Sequence, residues 1–307
     1  MNVVFFGTPD FAVPFLEALV GDEDFVVQAV VTQPDKPVGR KQVMTPSPVK
    51  VFAEENSIRV VHDPTELLDV ESDAFVVIAY GNILPKEIID HPRLGTINVH
   101  PSLLPKFRGP SPVQSAIASG DKETGVSIML LDEKMDHGPI LGQETISIDP
   151  LETSESLRKK IVQVGTPLLI KVIKDFSVNK ISAQEQNDDE ATVCKLLTRK
   201  DGVIDWTQPA AMIDSKIRAY QPWPGTSTTW VRNDKPMTIK ILKAVTATDR
   251  DSLEPGRVSI ADGRLFVGTD SSPIEVLELQ LAGKPAMDAK TFINGYKDIH
   301  STSLTPR

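Results

Sequence analysis

Apolar residues recur with two different periods in the first half of the chain. Runs rich in β-branched and aromatic residues predict strands over residues 3–6, 26–31, 74–79, 95–100 and 126–131, with an outer strand over 140–148. Helical spacing of apolar residues begins near Pro9, Pro48 and Thr153, and we place the N-cap of the first helix at Thr8. Strands that alternate with helices predict an α/β fold, here a Rossmann-like open parallel sheet with helices on both faces.

The pattern changes near residue 180. Residues 181–203 are mostly polar and lack a clear period, which is typical of a linker. After a helical segment at 209–220, short β-rich segments separated by turn residues occupy 226–231, 237–245, 257–260, 264–267 and 274–281. They predict a smaller C-terminal β-barrel domain of OB-like type. We therefore expect a first domain over 1–180, the linker, and a second domain over 204–307.

Whole-chain composition narrows the class of protein. The 307 residues include 40% hydrophobic and 24% charged residues, which suits two globular domains. No run of about 18 apolar residues is present to cross a bilayer, and the first residues lack the features of a signal peptide. We therefore expect the mature chain to begin at Met1. Cys194 is the single cysteine, which excludes an intrachain disulfide and fits the reducing cytoplasm.

Charge is distributed unevenly along the sequence. The net charge of -9 argues against a general nucleic-acid binder, because affinity for polyanions comes from neutralised phosphates. Residues 195–243 nevertheless contain nine Lys or Arg against four Asp or Glu, and residues 34–50 contain four against one. These two positive segments are either phosphate-binding surfaces or ordinary solvated faces. The second of them overlaps the connection over 32–45, which is long for a strand-to-helix loop and therefore a candidate for function.

Polar residues follow the ends of two predicted strands. Gly7 precedes Pro9 in the first strand-to-helix turn, and this turn lacks the three glycines of a dinucleotide-binding loop. Asn98 and His100 stand two apart at the end of a strand, so they project to the same side. Asp136 follows the predicted strand over 126–131, in a turn that contains a glycine and a proline.

An amide, an imidazole and a carboxylate suit acyl transfer to an amine. Asn98 and a protonated His100 can stabilise a tetrahedral oxyanion, and Asp136 can assist removal of a proton from the attacking amine. The alternative is a polar core in which the three side chains satisfy one another. A metal site formed by His100, Asp136 and His137 is also conceivable, although the spacing matches no familiar zinc pattern.

The segments around these residues resemble a known family. The string NVHPSLLPKFRGPSPVQ at 98–114 and the string TGVSIMLLDEKMDHGPIL at 124–141 are similar to formyltransferases that use 10-formyltetrahydrofolate. The resemblance extends over nearly the whole chain, through FFGTPDFAVPFLEAL at 5–19, TQPDKPVGR at 32–40, AYGNILPKEII at 79–89 and IRAYQPWPG at 217–225. Within the family it is strongest to the members that formylate methionyl-tRNA.

The resemblance implies a role for each matching residue. Asn98, His100 and Asp136 match the catalytic residues. The residues that match folate-contacting segments are Tyr80, Gly81, Asn82, Ile83, Leu84, Ser102, Leu103, Leu104 and Pro105. Arg40 matches a basic residue of the inserted loop that reaches the tRNA, and Lys41, Lys200, Lys216 and Arg218 are further expected tRNA contacts in the positive segments.

The resemblance also implies the reactants. The donor is 10-formyltetrahydrofolate, a consumed co-substrate, with no permanently bound cofactor and no metal. The acceptor is initiator methionyl-tRNA, bound by a monomer in the cytoplasm through its OB-like domain. The alternatives left open are formyl transfer to a small amine such as glycinamide ribonucleotide or an amino sugar, hydrolysis of the formylated folate, and a non-catalytic RNA-binding or nucleotide-binding module.

Overall fold

Strands with almost uninterrupted apolar side chains form the centre of the first of two compact units. The computed structural model describes residues 1–39 and 41–306. The first unit contains Met1–Pro112, Glu123–Ser147 and Arg158–Cys194, and the second contains Val113–Lys122, Ile148–Leu157 and Lys195–Arg307. Within the described residues, no helix is both long and apolar enough to span a membrane.

The sheet of the first unit has the strand order β5-β2-β1-β6-β7-β8-β9. Its strands and the hairpin β3-β4 are β1 Asn2–Gly7, β2 Val26–Val31, β3 Lys36–Val38, β4 Val43–Thr45, β5 Arg59–Val61, β6 Ala74–Ile78, β7 Thr96–His100, β8 Glu123–Leu130 and β9 Ile140–Ser147. Its helices are α1 Val13–Gly21, α2 Pro48–Glu55 and α3 Lys86–Ile89, whereas α4 Pro112–Ala118 and α5 Ser154–Ser177 each contain residues of both units.

Both faces of this sheet are covered, which confirms the predicted Rossmann-like arrangement. Every residue of β6 is buried, as expected for a central strand. Val4 and Phe6 of β1 belong to a buried cluster with Ile88 of α3. The alternate residue Phe5 points to the opposite face, on which α1 lies.

The sheet is mixed, because its last two strands do not follow the parallel pattern. Strands β5, β2, β1, β6 and β7 pair in parallel, whereas β7 with β8 and β8 with β9 are antiparallel. A turn without a crossover helix joins β8 to β9, and this connection returns the chain in the opposite direction. Because β8 is antiparallel to β7, Leu130 at the end of β8 lies beside Ile97 at the start of β7.

One local prediction in the first unit is confirmed and another is wrong. The helix predicted to begin near Pro48 is α2, and Ser47 caps it by accepting a hydrogen bond from the Lys50 amide at 3.0 Å. The predicted N-cap at Thr8 is wrong, since its hydroxyl donates to the Tyr80 carbonyl at 2.9 Å and α1 begins at Val13 after a 3₁₀ turn. The long connection after β2 contains the hairpin β3-β4, which the sequence pattern did not predict.

The second unit is a closed antiparallel barrel, as predicted. Its elements are α6 Ala210–Ala219, β10 Thr226–Arg232, β11 Lys235–Thr246, β12 Val258–Ala261, β13 Arg264–Val267, β14 Ile274–Leu281, β15 Met287–Asp288, α7 Ala289–Gly295 and β16 Leu304–Thr305. The strands follow the order β12-β13-β14-β11-β10-β16. A bridge between Arg257 and Ser303 joins the two ends of this order and closes the ring. Trp206 and Trp230 are the largest side chains of its core, and Phe292 packs in the same cluster.

Candidate active site

Strand β7 presents two polar side chains on one face. Asn98 and His100 are 8% and 4% exposed, so both are nearly enclosed. Strand alternation places them on the same side of the sheet. Asn98 pairs in register with Val77 of β6 and Met129 of β8, and His100 pairs with Ser127 of β8. The strand therefore holds both groups rigidly at its carboxyl end.

The imidazole of His100 lies between two acceptors. Its Nδ1 is 3.5 Å from Oδ1 of Asp136, and its Nε2 is 3.0 Å from the carbonyl oxygen of Phe107. Each ring nitrogen therefore faces an acceptor oxygen.

The turn between β8 and β9 brings Asp136 back toward β7. Asp136 has φ +50°, and its Oδ2 accepts a hydrogen bond from the Gly109 amide at 2.7 Å. Gly138 permits this turn, because a Cβ atom there would stand 2.1 Å from the Leu130 carbonyl oxygen. The structure thus brings the carboxylate and the imidazole together, on the face of β7 that carries Asn98.

Backbone strain concentrates around these groups. Phe107, which supplies the carbonyl partner of His100, has φ +58°, and Ala79, which precedes Tyr80, has φ +48°. Non-glycine residues rarely adopt this left-handed conformation, and it costs about 1–3 kcal/mol at each position. With Asp136, strained residues flank the site on separate loops, a distribution typical of functional sites.

His137 does not join His100 and Asp136. Its Nδ1 lies 2.6 Å from Oδ2 of Asp132, and its Nε2 lies 3.5 Å from Oδ2 of Asp188. The metal site considered from the sequence would have needed its ring beside the other two groups. Among the described residues, no group of three or more His, Cys, Asp or Glu side chains could hold a metal ion.

The segment from Ser102 to Pro105 forms a tightly held turn after β7. The buried Ser127 hydroxyl donates to the Ser102 carbonyl at 2.6 Å and accepts from the Leu104 amide at 3.0 Å. Gln143 of β9 donates to the Leu104 carbonyl at 2.9 Å. Leu104 is buried, whereas Leu103 and Pro105 are half-buried. The turn thus lies next to His100, and hydrogen bonds with β8 and β9 fix the conformation of the turn.

In the loop from Tyr80 to Leu84, the two end residues are buried and the residues between them are exposed. Tyr80 packs edge-on against Phe6 at a ring distance of 5.6 Å, and burial raises the pKa of its phenol. Leu84 is also buried. Gly81 has φ +90°, Ile83 is 86% exposed, and the peptide groups of residues 81–83 make no backbone–backbone hydrogen bond within the described part of the chain. These free peptide groups are available to a ligand.

The expected tRNA contacts differ in their surroundings. Lys41 and Lys200 are exposed, whereas Arg40 lies outside the described residues. Lys216 donates to the Val203 carbonyl at 2.7 Å, and burial lowers its pKa. Arg218 donates to the Asp214 carboxylate, the Glu152 carbonyl and the Ser215 hydroxyl. Lys216 and Arg218 could therefore reach a phosphate only by exchanging internal partners.

Sequence reasoning missed several residues that hold this site. Gly109 and Gln186 bond Asp136, and Ser127 and Gln143 fix the turn after His100. Ser127 carried a signal, because it interrupts the apolar run of the predicted strand over 126–131. Gln186 carried none, since it lies in the polar segment that we expected to be a linker.

The chain belongs to the formyl transferase family. Residues 1–173 match the family described as "Formyl transferase", and residues 196–297 match "Formyl transferase, C-terminal domain". Curated relatives extend the match over almost the full length. A "Methionyl-tRNA formyltransferase" of Roseiflexus sp. is 41% identical over 307 residues, which cover 97% of this chain and 93% of the relative. One from Idiomarina loihiensis is 40% identical, with 99% of each chain covered.

Solved structures share the fold at lower identity. WlaRD, described as a sugar 3N-formyl transferase in the presence of dTDP and 5-N-formyl-THF, has a TM-score of 0.68 and 20% identity, and the match covers 93% of this chain and 99% of WlaRD. An N-formyltransferase from Helicobacter canadensis, in complex with folinic acid and dTDP-3-aminofucose, also has a TM-score of 0.68 and 20% identity, with 89% and 98% covered.

Proposed function

We propose that this protein transfers the formyl group of 10-formyltetrahydrofolate to the amino group of initiator methionyl-tRNA. The observation that carries the chemistry is the imidazole of His100, 3.5 Å from the Asp136 carboxylate on the face of β7 that bears Asn98. The acceptor is inferred from relatives about 40% identical over nearly the whole chain that are called methionyl-tRNA formyltransferase. The enzyme acts as a monomer in the cytoplasm.

In this proposal, the three side chains serve one tetrahedral intermediate. The amine nitrogen of the acceptor attacks the formyl carbon, and the carbonyl oxygen becomes an oxyanion. The Asn98 amide donates to that oxyanion, and the positive charge of His100 stabilises it. Asp136 accepts the proton of the attacking amine. Collapse of the intermediate breaks the bond to N10 of the folate, which leaves with a proton as tetrahydrofolate.

The folate is assigned to the two loops that adjoin the catalytic face. Ser102, Leu103, Leu104 and Pro105 form a wall fixed by β8 and β9. In the loop over residues 80–84, residues 81–83 offer the polar edge of the pterin ring peptide groups that make no backbone–backbone hydrogen bond with the described residues. The first domain, residues 1–180, is proposed to hold this chemistry, and residues 204–307 after the linker 181–203 are proposed to bind the tRNA.

The reaction is tested by offering one donor to several acceptors. The purified protein is mixed with 10-formyltetrahydrofolate and with initiator methionyl-tRNA, glycinamide ribonucleotide, a nucleotide-linked amino sugar, or water alone. We expect tetrahydrofolate to form only when methionyl-tRNA is present, together with N-formylmethionyl-tRNA. Formate release without an acceptor would identify a hydrolase, product from a small amine would reassign the acceptor, and absence of turnover would favour a binding module.

Contacts of Lys41 and Lys200 with phosphate predict a salt dependence of tRNA affinity. Each lysine that neutralises a phosphate contributes about 0.7–0.9 to the slope of log affinity against log salt. Lys41→Gln and Lys200→Gln should each lower the magnitude of that slope by about this amount. Filter binding from low to moderate salt measures it. The matched control is Lys122→Gln, because Lys122 is exposed and lies outside both positive segments. Slopes equal to that of the control would exclude Lys41 and Lys200 from the tRNA interface.

A further inference from the structure

Gln186 holds the turn that carries Asp136 through hydrogen bonds to the backbone of the turn. The side-chain Nε2 of Gln186 donates to the Asp136 carbonyl at 3.0 Å and to the Gly138 carbonyl at 2.8 Å. These carbonyls belong to the residue with φ +50° and to the glycine that permits the turn. One amide group therefore holds both ends of the strained part of the turn.

Arg108 fixes the direction in which that amide points. Its Nε and Nη2 donate to Oε1 of Gln186 at 3.0 and 2.9 Å, and Nη2 also donates to Asp188 at 2.8 Å. A guanidinium only donates hydrogen bonds and a carbonyl oxygen only accepts them, so the Gln186 amide has one satisfactory orientation. Arg108 is 9% exposed, and it holds the pKa of Asp188 below its ordinary value.

The same part of the chain also holds the other neighbours of His100. We call residues 184–194 the strap. Its Thr192 accepts from the Phe107 amide at 2.8 Å and from the Arg108 amide at 2.9 Å. A Cβ atom on Gly109, which has φ +115°, would stand 2.3 Å from the Cys194 carbonyl oxygen of the strap. The carbonyl partner of His100 and the amide partner of Asp136 are thus both fixed against one segment.

We propose that Arg108 and Gln186 are positioning residues that aim the Asp136 carboxylate at His100. They contact neither of the two reacting side-chain groups. Their effect on the carboxylate passes through the backbone of Asp136. This positioning role rests on the proposed function only where turnover is used to measure it. A misplacement of the base by about 1 Å can lower the rate of the reaction by up to ~10²-fold.

Gln186→Glu separates this role from simple anchoring of the strap. The change keeps the acceptor that faces Arg108 and adds a favourable charge there. It replaces the Nε2 donor with an oxygen that repels the carbonyls of Asp136 and Gly138. We expect kcat for formyl transfer to fall by about 10- to 10²-fold, with KM for the folate within about twofold of wild type. Gln184→Glu makes the same chemical change on an exposed side chain of the strap and should match wild type.

Arg108→Met provides a second route to the same result. It removes the guanidinium that orients the Gln186 amide and leaves the donor itself in place, while the exposed Asp188 returns to water. We expect a loss in kcat in the same direction as that of Gln186→Glu, again with an unchanged KM for the folate. This variant supplies the test if Gln186→Glu does not fold.

A spectroscopic readout works without turnover. Ring-labelled histidine gives separate signals for the five histidines, and His100 is assigned by its loss in His100→Gln. The signal of His100 should shift in Gln186→Glu and Arg108→Met and stay unchanged in Gln184→Glu. If the wild-type protein formylates no acceptor, the proposed function fails and this signal alone decides the positioning role. If wild type is active but both variants match Gln184→Glu in kcat and in the His100 signal, the positioning role is overturned.

Discussion

Replacing Asp136 with asparagine should lower kcat for formyl transfer by about 10²-fold or more. The substitution keeps the size of the side chain and an oxygen that can accept from the Gly109 amide. It removes the carboxylate that we propose takes the amine proton and balances the charge of His100, and both effects should be greatest in the transition state. Single-turnover formylation of methionyl-tRNA measures the rate, and titration with a non-reactive folate analogue should give an affinity close to that of wild type.

Glu133→Gln is the matched control for Asp136→Asn. It removes one negative charge from the same turn, on an exposed side chain. A similar loss in both variants would assign the effect to the net charge of the turn. Near-normal turnover in Asp136→Asn would make Asp136 a structural residue.

Replacing Asn98 with alanine should lower kcat by about 10²- to 10³-fold, the cost of removing one donor to an oxyanion. The side chain is nearly enclosed on a central strand, so the donor is already held in place before substrate binds. Because the oxyanion forms only during the reaction, the dissociation constant of the folate should change little. The same single-turnover assay and titration separate the two quantities.

Thr96→Val tests whether a loss in Asn98→Ala comes from damage to the strand. Thr96 lies on the same face of β7, is 1% exposed, and donates its hydroxyl to the Ile89 carbonyl at 2.8 Å. Its replacement removes a buried hydrogen bond from the strand without removing a group of the site. Comparable losses in kcat in the two variants, with comparable losses in thermal stability, would withdraw the role assigned to Asn98.

The fold was predictable where burial alone determines the pattern. β1 and β6 are buried on both faces, and nearly uninterrupted apolar runs identify such strands. The hairpin β3-β4 was not predictable in this way, because its residues are exposed and leave no alternation of buried and exposed positions. Thr8 failed as an N-cap since its hydroxyl is used by the Tyr80 carbonyl, a contact between residues 72 positions apart.

The site was predictable in its residues and less so in its geometry. Asn98 and His100 follow from strand alternation at the end of a predicted strand. Asp136 lies beside His100 by a different route from the expected one: β8 is antiparallel to β7, and the turn folds back from Leu130 to reach the imidazole. Gln186, which holds this turn, lies 50 positions further along the chain in a segment that has no helical or strand period.

The most direct test of the account is a crystal structure of the protein with a stable formylated folate. The account predicts that the formyl carbon lies within about 4 Å of the Asn98 amide, the His100 ring and the Asp136 carboxylate, the range in which reacting and stabilising groups meet. A folate seated elsewhere, or a carboxylate that points into bulk water while the formyl group faces Asn98 and His100, would contradict it.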